Sequence, residues 1–159
     1  MACGFTAVVS ADARRLAARP ASFDAAISLC QGGFGLLGGG DADEGGVIAE
    51  AVAALKPGGR AAFSAFSAYY QLRWPEETDT FDAVSGVNHE HTEVRDGTGR
   101  AAPFELWTTC FTPRELRLLA RVAGATVEGL WSVSPGDYAH RPPDLNHPEW
   151  LVILRRPPE

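Results

Sequence analysis

The arrangement that most restricts this chain lies between residues 23 and 66. Ser22 to Leu37 reads SFDAAISLCQGGFGLL, a short apolar run that breaks into glycines. Such a run is a buried strand whose carboxyl end opens into a loop. Gly38 to Gly46, GGGDADEGG, cannot bury apolar surface and is expected to be a mobile loop. Val47, Ile48, Ala51, Val52 and Leu55 then recur at helical spacing. Lys56-Pro57-Gly58-Gly59 stops that helix, and Arg60 to Phe66, RAAFSAF, is a second strand. Strand, helix and strand in this order form a βαβ crossover, which requires a parallel sheet with the helix on one face. Ligands of such sheets sit beyond the strands' carboxyl ends. The pocket wall therefore falls at Leu29, Cys30, Gln31 and Gly32.

The flanking segments extend the sheet. Phe5 to Val9, FTAVV, is a short strand expected to lie beside Phe23 to Leu29. Asp12 follows it, placed either to accept from a ligand amine or to cap a turn. Residues 67–82 are aromatic and acidic without clear period and are expected to be irregular. Val84 to Asp96 and Ala102 to Phe111 are two strands joined at Asp96-Gly97-Thr98-Gly99, a hairpin signal. Thr112, Pro113 and Glu115 spell a helix start with a capping box; Phe111 and Leu116 stand as its hydrophobic staple, and Gly124 ends it. Thr126 to Trp131 and Trp150 to Leu154 are the last strands, separated by a Pro-, Asp- and His-rich loop at 135–148.

Composition narrows the partners. The net charge is -6, and no basic cluster is denser than Arg14-Arg15 or Arg155-Arg156. A nucleic-acid groove needs a concentrated basic face, so none is expected. No apolar run approaches the ~18 residues of a membrane span. The three cysteines, Cys3, Cys30 and Cys110, are far apart, which fits a reducing, cytoplasmic setting. The sequence Gly33-Phe34-Gly35-Leu36-Leu37-Gly38 matches G-x-G-x-x-G after a strand. The dinucleotide fingerprint also needs a helix starting inside the motif, which Gly38-Gly39-Gly40-Asp41 opposes.

Asp12-Ala13 after a strand, FDAAIS, a helix closed by LKPGGR, a strand, an inserted hairpin, FTPREL and two final strands together resemble a class I S-adenosylmethionine-dependent methyltransferase. The resemblance runs from about Phe5 to Arg156. It implies an α/β fold: a truncated Rossmann-like sheet, mostly parallel with an antiparallel last strand, plus an inserted β-hairpin. The family's opening glycine-rich motif, D/E-x-G-x-G-x-G, has no counterpart here. Residues 1–159 are thus expected to form a single, N-terminally incomplete domain with its insertion at about 67–111. A misplaced start, a natural truncation and a separate upstream polypeptide all remain open.

The resemblance implies S-adenosylmethionine as cofactor and a small molecule as methyl acceptor. Asp12 corresponds to the acid that accepts from the adenine amino group, with the Ala13 amide beside it. Leu29, Cys30, Gln31 and Gly32 line the methionine portion and face the acceptor, where the Asn/Asp-Pro-Pro-Tyr of amide- and base-N-methylating members is lacking. Phe34 either closes over the sulfonium or packs in the core. Candidates for an acceptor-side base are His89, His91 and Tyr69. His89 and His91 share a strand face with Glu93, but the sequence assures no further convergent ligand, so no metal is expected. His140 and His147 read as surface residues, and Trp107, Trp131 and Tyr138 as packing residues. The competing expectation is a non-catalytic α/β remnant that binds an upstream partner chain or forms a homodimer through an open sheet edge.

Overall fold

A computed structural model describes residues 8–29, 34–37 and 44–158. The elements are β1 (Phe23–Ser28), α1 (Glu44–Ala54), β2 (Leu55–Ser67), α2 (Ala68–Arg73), β3 (Thr80–Asp82), β4 (Val87–Arg95), β5 (Ala101–Phe111), α3 (Pro113–Val122), β6 (Thr126–Ser134), β7 (Asp137–Arg141) and β8 (Glu149–Arg155). β1, α1 and β2 make the expected crossover, with β1 parallel to β2 from Ala25↔Arg60 to Ser28↔Phe63. β8 lies antiparallel on the other side of β2, and β6 is antiparallel to β8, so β6 runs in the direction of β2. The sheet order is β3-β4-β5-β2-β8-β6-β7, with β1 also pairing β2. The result is an α/β fold with a mixed sheet, a mostly parallel core and antiparallel strands added to it.

The core forms where α1 and α3 meet one face of this sheet. Val47, Ile48, Ala51 and Val52 of α1 and Leu116 and Ala120 of α3 pack against Ala61, Phe63 and Ala65 of β2 and Trp150, Val152 and Leu154 of β8. α3 has its predicted start: Thr112 Oγ1 accepts from Glu115 N (3.2 Å), and Thr112 N donates to Glu115 Oε2 (2.6 Å). Gly124, at φ +74°, supplies the left-handed turn after the helix. α1 has no basic residue in its last turn. Arg156, just past β8, reaches over instead, and its Nη1 donates to the carbonyls of Val52, Ala53 and Leu55 at 3.5, 2.9 and 2.6 Å.

Several boundaries differ from expectation. Residues 67–82 contain α2, which starts because the buried Ser67 side chain accepts from Tyr70 N (3.2 Å), and the short β3, which pairs with β4. The loop at 135–148 contains β7, an edge strand held by β6. Helix α1 begins at Glu44, inside the stretch expected to be a loop; residues 38–43 lie outside the described residues. The strand expected at Phe5–Val9 is not found where it can be followed. Val8 and Val9 are in no strand and are 79% and 81% exposed, and residues 5–7 lie outside the described residues. Among the described residues Val8–Val9 has no strand partner and gains no ladder hydrogen bonds, and β1 pairs only β2. Among the described residues no helix is long and apolar enough to cross a membrane.

Candidate functional site

The carboxyl ends of β1 and β2 point to the same end of the sheet, and the end of β5 joins them. β5 leaves its antiparallel partner β4 and pairs parallel to β2 at Phe66↔Cys110 and Ser67↔Phe111. Three carboxyl ends thus converge near Ser28, Leu29 and residues 34–37. Leu29 follows directly on β1 and is half-buried. Cys30, Gln31 and Gly32 lie outside the described residues.

A buried carboxylate fixes the far side of this loop. Glu44, the first residue of α1, accepts from Gly35 N at Oε2 (3.0 Å) and from Thr109 Oγ1 at Oε1 (2.9 Å). Thr109 N in turn donates to Gly35 O (2.8 Å). Gly35 sits at φ +87°, and a Cβ there would stand 3.1 Å from Thr109 O. A side chain at this position meets both strain and crowding. Phe34 beside it is fully buried, stacked on Phe111 at 4.8 Å and tilted against Phe63 at 5.4 Å. Of its two readings the structure shows core packing. Glu44 was not singled out from the sequence. Its partner Thr109 is 65 residues away, and the only local sign was an acid ahead of the apolar helical stripe.

Asp12 occupies a tight turn rather than a strand end. Its carboxylate accepts from Arg14 N (2.9 Å) and holds the Arg14 guanidinium, with Nη2 at 2.7 Å. The Arg14 side chain and amide hold the Asp12 carboxyl down at about 2. A ligand amine at Asp12 would have to compete with that guanidinium. Ala13 packs against the core and lines a groove of about 190 Å³ with Leu16, Ala26, Ile27, Ser28 and Phe63. Leu16 N is tied to α1 through Glu50 Oε2 (3.0 Å). The groove runs along the side of β1 that pairs no strand among the described residues, where Ile27 is 77% exposed and Phe23 49% exposed.

The base candidates separate into two places. Tyr69 is at the head of α2, next to the carboxyl end of β2, with its ring edge-on to Trp150 at 6.0 Å. His89 and His91 lie together on β4, ring centroids 4.6 Å apart. The acid that approaches them is Glu105 of β5, not Glu93. His89 Nε2 is 3.5 Å from Glu105 Oε2, and His91 Nδ1 is 3.7 Å from Glu105 Oε1. The turn at 96–100 encodes this pairing: counting back in equal steps from Arg95↔Ala101 puts Glu105 opposite His91. His140 stacks on Trp131 at 4.2 Å, and His147 Nδ1 bonds Asp144 at 2.8 Å. Cys110 is buried, and desolvation pushes its thiol up to about 12, which leaves it unreactive.

No protein-family model matches the chain, and no curated protein matches it. Solved structures do. The chain is similar to the CcbJ methyltransferase from Streptomyces caelestis at 20% identity and TM-score 0.72, over 94% of this chain and 63% of that one. It is similar to an S-adenosylmethionine-dependent methyltransferase from Clostridium acetobutylicum at 12% identity and TM-score 0.72, over 94% and 64%. It is also similar to CalS10, an amino pentose methyltransferase from Micromonospora echinaspora, at 20% identity and TM-score 0.56, over 92% and 63%. The chain spans less than two thirds of the length of each. The crossover, the added β5, the antiparallel β8 and the helices on one face are together the fold of the S-adenosylmethionine-dependent methyltransferases.

Proposed function

We propose that this chain forms one bank of a small-molecule methyltransferase site that uses S-adenosylmethionine. The observation that carries the reading is the shared fold over 94% of the chain, with three strand ends converging where that fold binds ligands. Bound there, the donor supplies a methyl group already activated by its sulfonium. The described residues fit part of such a site. The apolar groove beside β1 has the lining to take a flat ring or an aliphatic chain, and its volume of about 190 Å³ is below that of a whole ligand pocket. In this reading Asp12 and Ala13 meet the adenine end, and Leu29, Cys30, Gln31 and Gly32 line the methionine end. Because the methyl is activated in advance, the protein's task is to align the acceptor and exclude water. Tyr69 is the base candidate placed at the carboxyl ends of the strands, and its hydroxyl would orient the acceptor or take its proton. His89 and His91 face Glu105 instead. The isolated cysteines support a reducing, cytoplasmic setting.

A second reading rests on the outer side of β1. Exposed Phe23 and Ile27 on a strand with one partner among the described residues suit pairing with another chain, either a second copy or an upstream segment, without catalysis. Calorimetric titration with S-adenosylhomocysteine separates the two. Saturable heat that falls in a Leu29→Asp variant supports the methyltransferase reading. No heat at millimolar ligand, together with a dimer on sedimentation, overturns it in favour of the second.

A further inference from the structure

We propose that His89, His91 and Glu105 form a binding site for a borderline divalent transition-metal ion, of which Zn²⁺ is the best fit. The backbone brings these groups together. His89 and His91 are two apart on β4 and point to one face. Glu105 is the direct cross-strand partner of His91 and the diagonal neighbour of His89. One ligand atom from each of the three lies within 4.8 Å of the others. Zinc bonds of about 2.0–2.2 Å place tetrahedral ligands roughly 3.3–3.6 Å apart. His89 Nε2 lies 3.5 Å from Glu105 Oε2, at that edge, and His91 Nδ1 lies 3.7 Å from the other carboxylate oxygen, Oε1, just beyond it.

Two further features separate this cluster from a chance surface grouping. The His89 ring is stacked on Trp107 at 4.5 Å and 5°, which holds the imidazole plane. Its Nε2 is shut off from solvent and has no hydrogen-bond partner among the described residues. A buried ring nitrogen in that state costs free energy that a bound ion would recover. The Glu105 oxygen is too distant to make a good hydrogen bond to it, yet it stands where a second ligand to a shared ion would. His91 and Glu105 are about half exposed, at 54% and 52%, which leaves an entry path and a fourth position for water. Two imidazoles and one carboxylate suit zinc, cobalt or nickel and disfavour magnesium and calcium, which prefer oxygen. An ion held here would tie β4 to β5.

The test is calorimetric titration of the metal-stripped full chain with ZnCl₂. One ion per chain is expected, with binding weakened at least about tenfold in His91→Ala and in Glu105→Gln. Both positions are half exposed, so the variants should retain the wild-type circular dichroism. A His140→Ala/His147→Ala double variant should bind as wild type does. Cobalt loading should give the visible absorption of a four-coordinate site, lost in His91→Ala, and zinc should raise the melting temperature of wild type but not of His91→Ala or Glu105→Gln. Absence of saturable binding, or binding unchanged in His91→Ala, overturns the proposal.

Discussion

Glu44 offers the sharpest test of how the loop after β1 is held. Glu44→Ala removes two hydrogen bonds to a carboxylate, from Gly35 N (3.0 Å) and from Thr109 Oγ1 (2.9 Å). Bonds to a charged group contribute about 1.5–3 kcal/mol each. The Thr109 hydroxyl is only half-buried and can turn to water, so part of its bond is recovered. The Gly35 amide is buried and cannot. The expected loss is therefore about 2–4 kcal/mol. With a urea slope of about 2 kcal/mol per molar, the middle of the usual range for small proteins, the unfolding midpoint falls by roughly 1–2 M. Glu44→Gln keeps an acceptor oxygen for Gly35 and a donor for Thr109, and should lose about half as much. The assay is equilibrium urea unfolding followed by far-ultraviolet circular dichroism. If Glu44→Ala shifts stability by less than about 0.5 kcal/mol, as an ordinary surface substitution does, the carboxylate is not what anchors this loop.

Two other substitutions probe buried polar groups elsewhere. Glu149 is 1% exposed, and burial raises its carboxyl above the ordinary 4.5 despite a hydrogen bond with Ser64. The unfolded chain therefore loses that proton first as pH rises, and the folded state is penalised progressively above the ordinary value. Glu149→Gln should raise the melting temperature at neutral pH, with the gain vanishing in acid; an equal gain at both pH values would refute the linkage. Arg156→Met deletes the cation that closes α1 and should cost about 1–3 kcal/mol in urea unfolding. Wild-type stability in that variant would show that water serves those carbonyls equally well.

The elements legible in the sequence were those whose causes are local. FTPREL carries its own cap and staple, Gly124 supplies the stop, and α3 runs from Pro113 to Val122 between them. The β4–β5 hairpin was legible because Asp96 closes its own turn, accepting from Thr98 N (2.8 Å) and Arg100 N (3.1 Å). α2 was not legible: its six residues show too little period, and its start depends on Ser67 being buried at the end of β2. β7 was hidden because a polar edge strand exists only by virtue of β6. In the candidate site, the position of Leu29 at a strand tip could be read from one apolar run and its glycines. Glu44 could not be read from the same local pattern, because its partner strand arrives from far along the chain, whereas Glu105 needed the hairpin register to be counted back from its turn. Asp12 was ambiguous for the opposite reason. Its closest partner is two residues away, and the sequence does not rank a guanidinium against a ligand amine.

β5 belongs to two pairings along one uninterrupted backbone. Its first part zips to β4, and its last residues dock on β2 beneath Trp150, whose indole N–H donates to Phe111 O (2.7 Å). The hairpin is thus cantilevered from the core rather than hinged to it. Residues can be added or removed at the 96–100 tip to change how far it overhangs the strand ends, while its root, and the register beneath it, stay clamped.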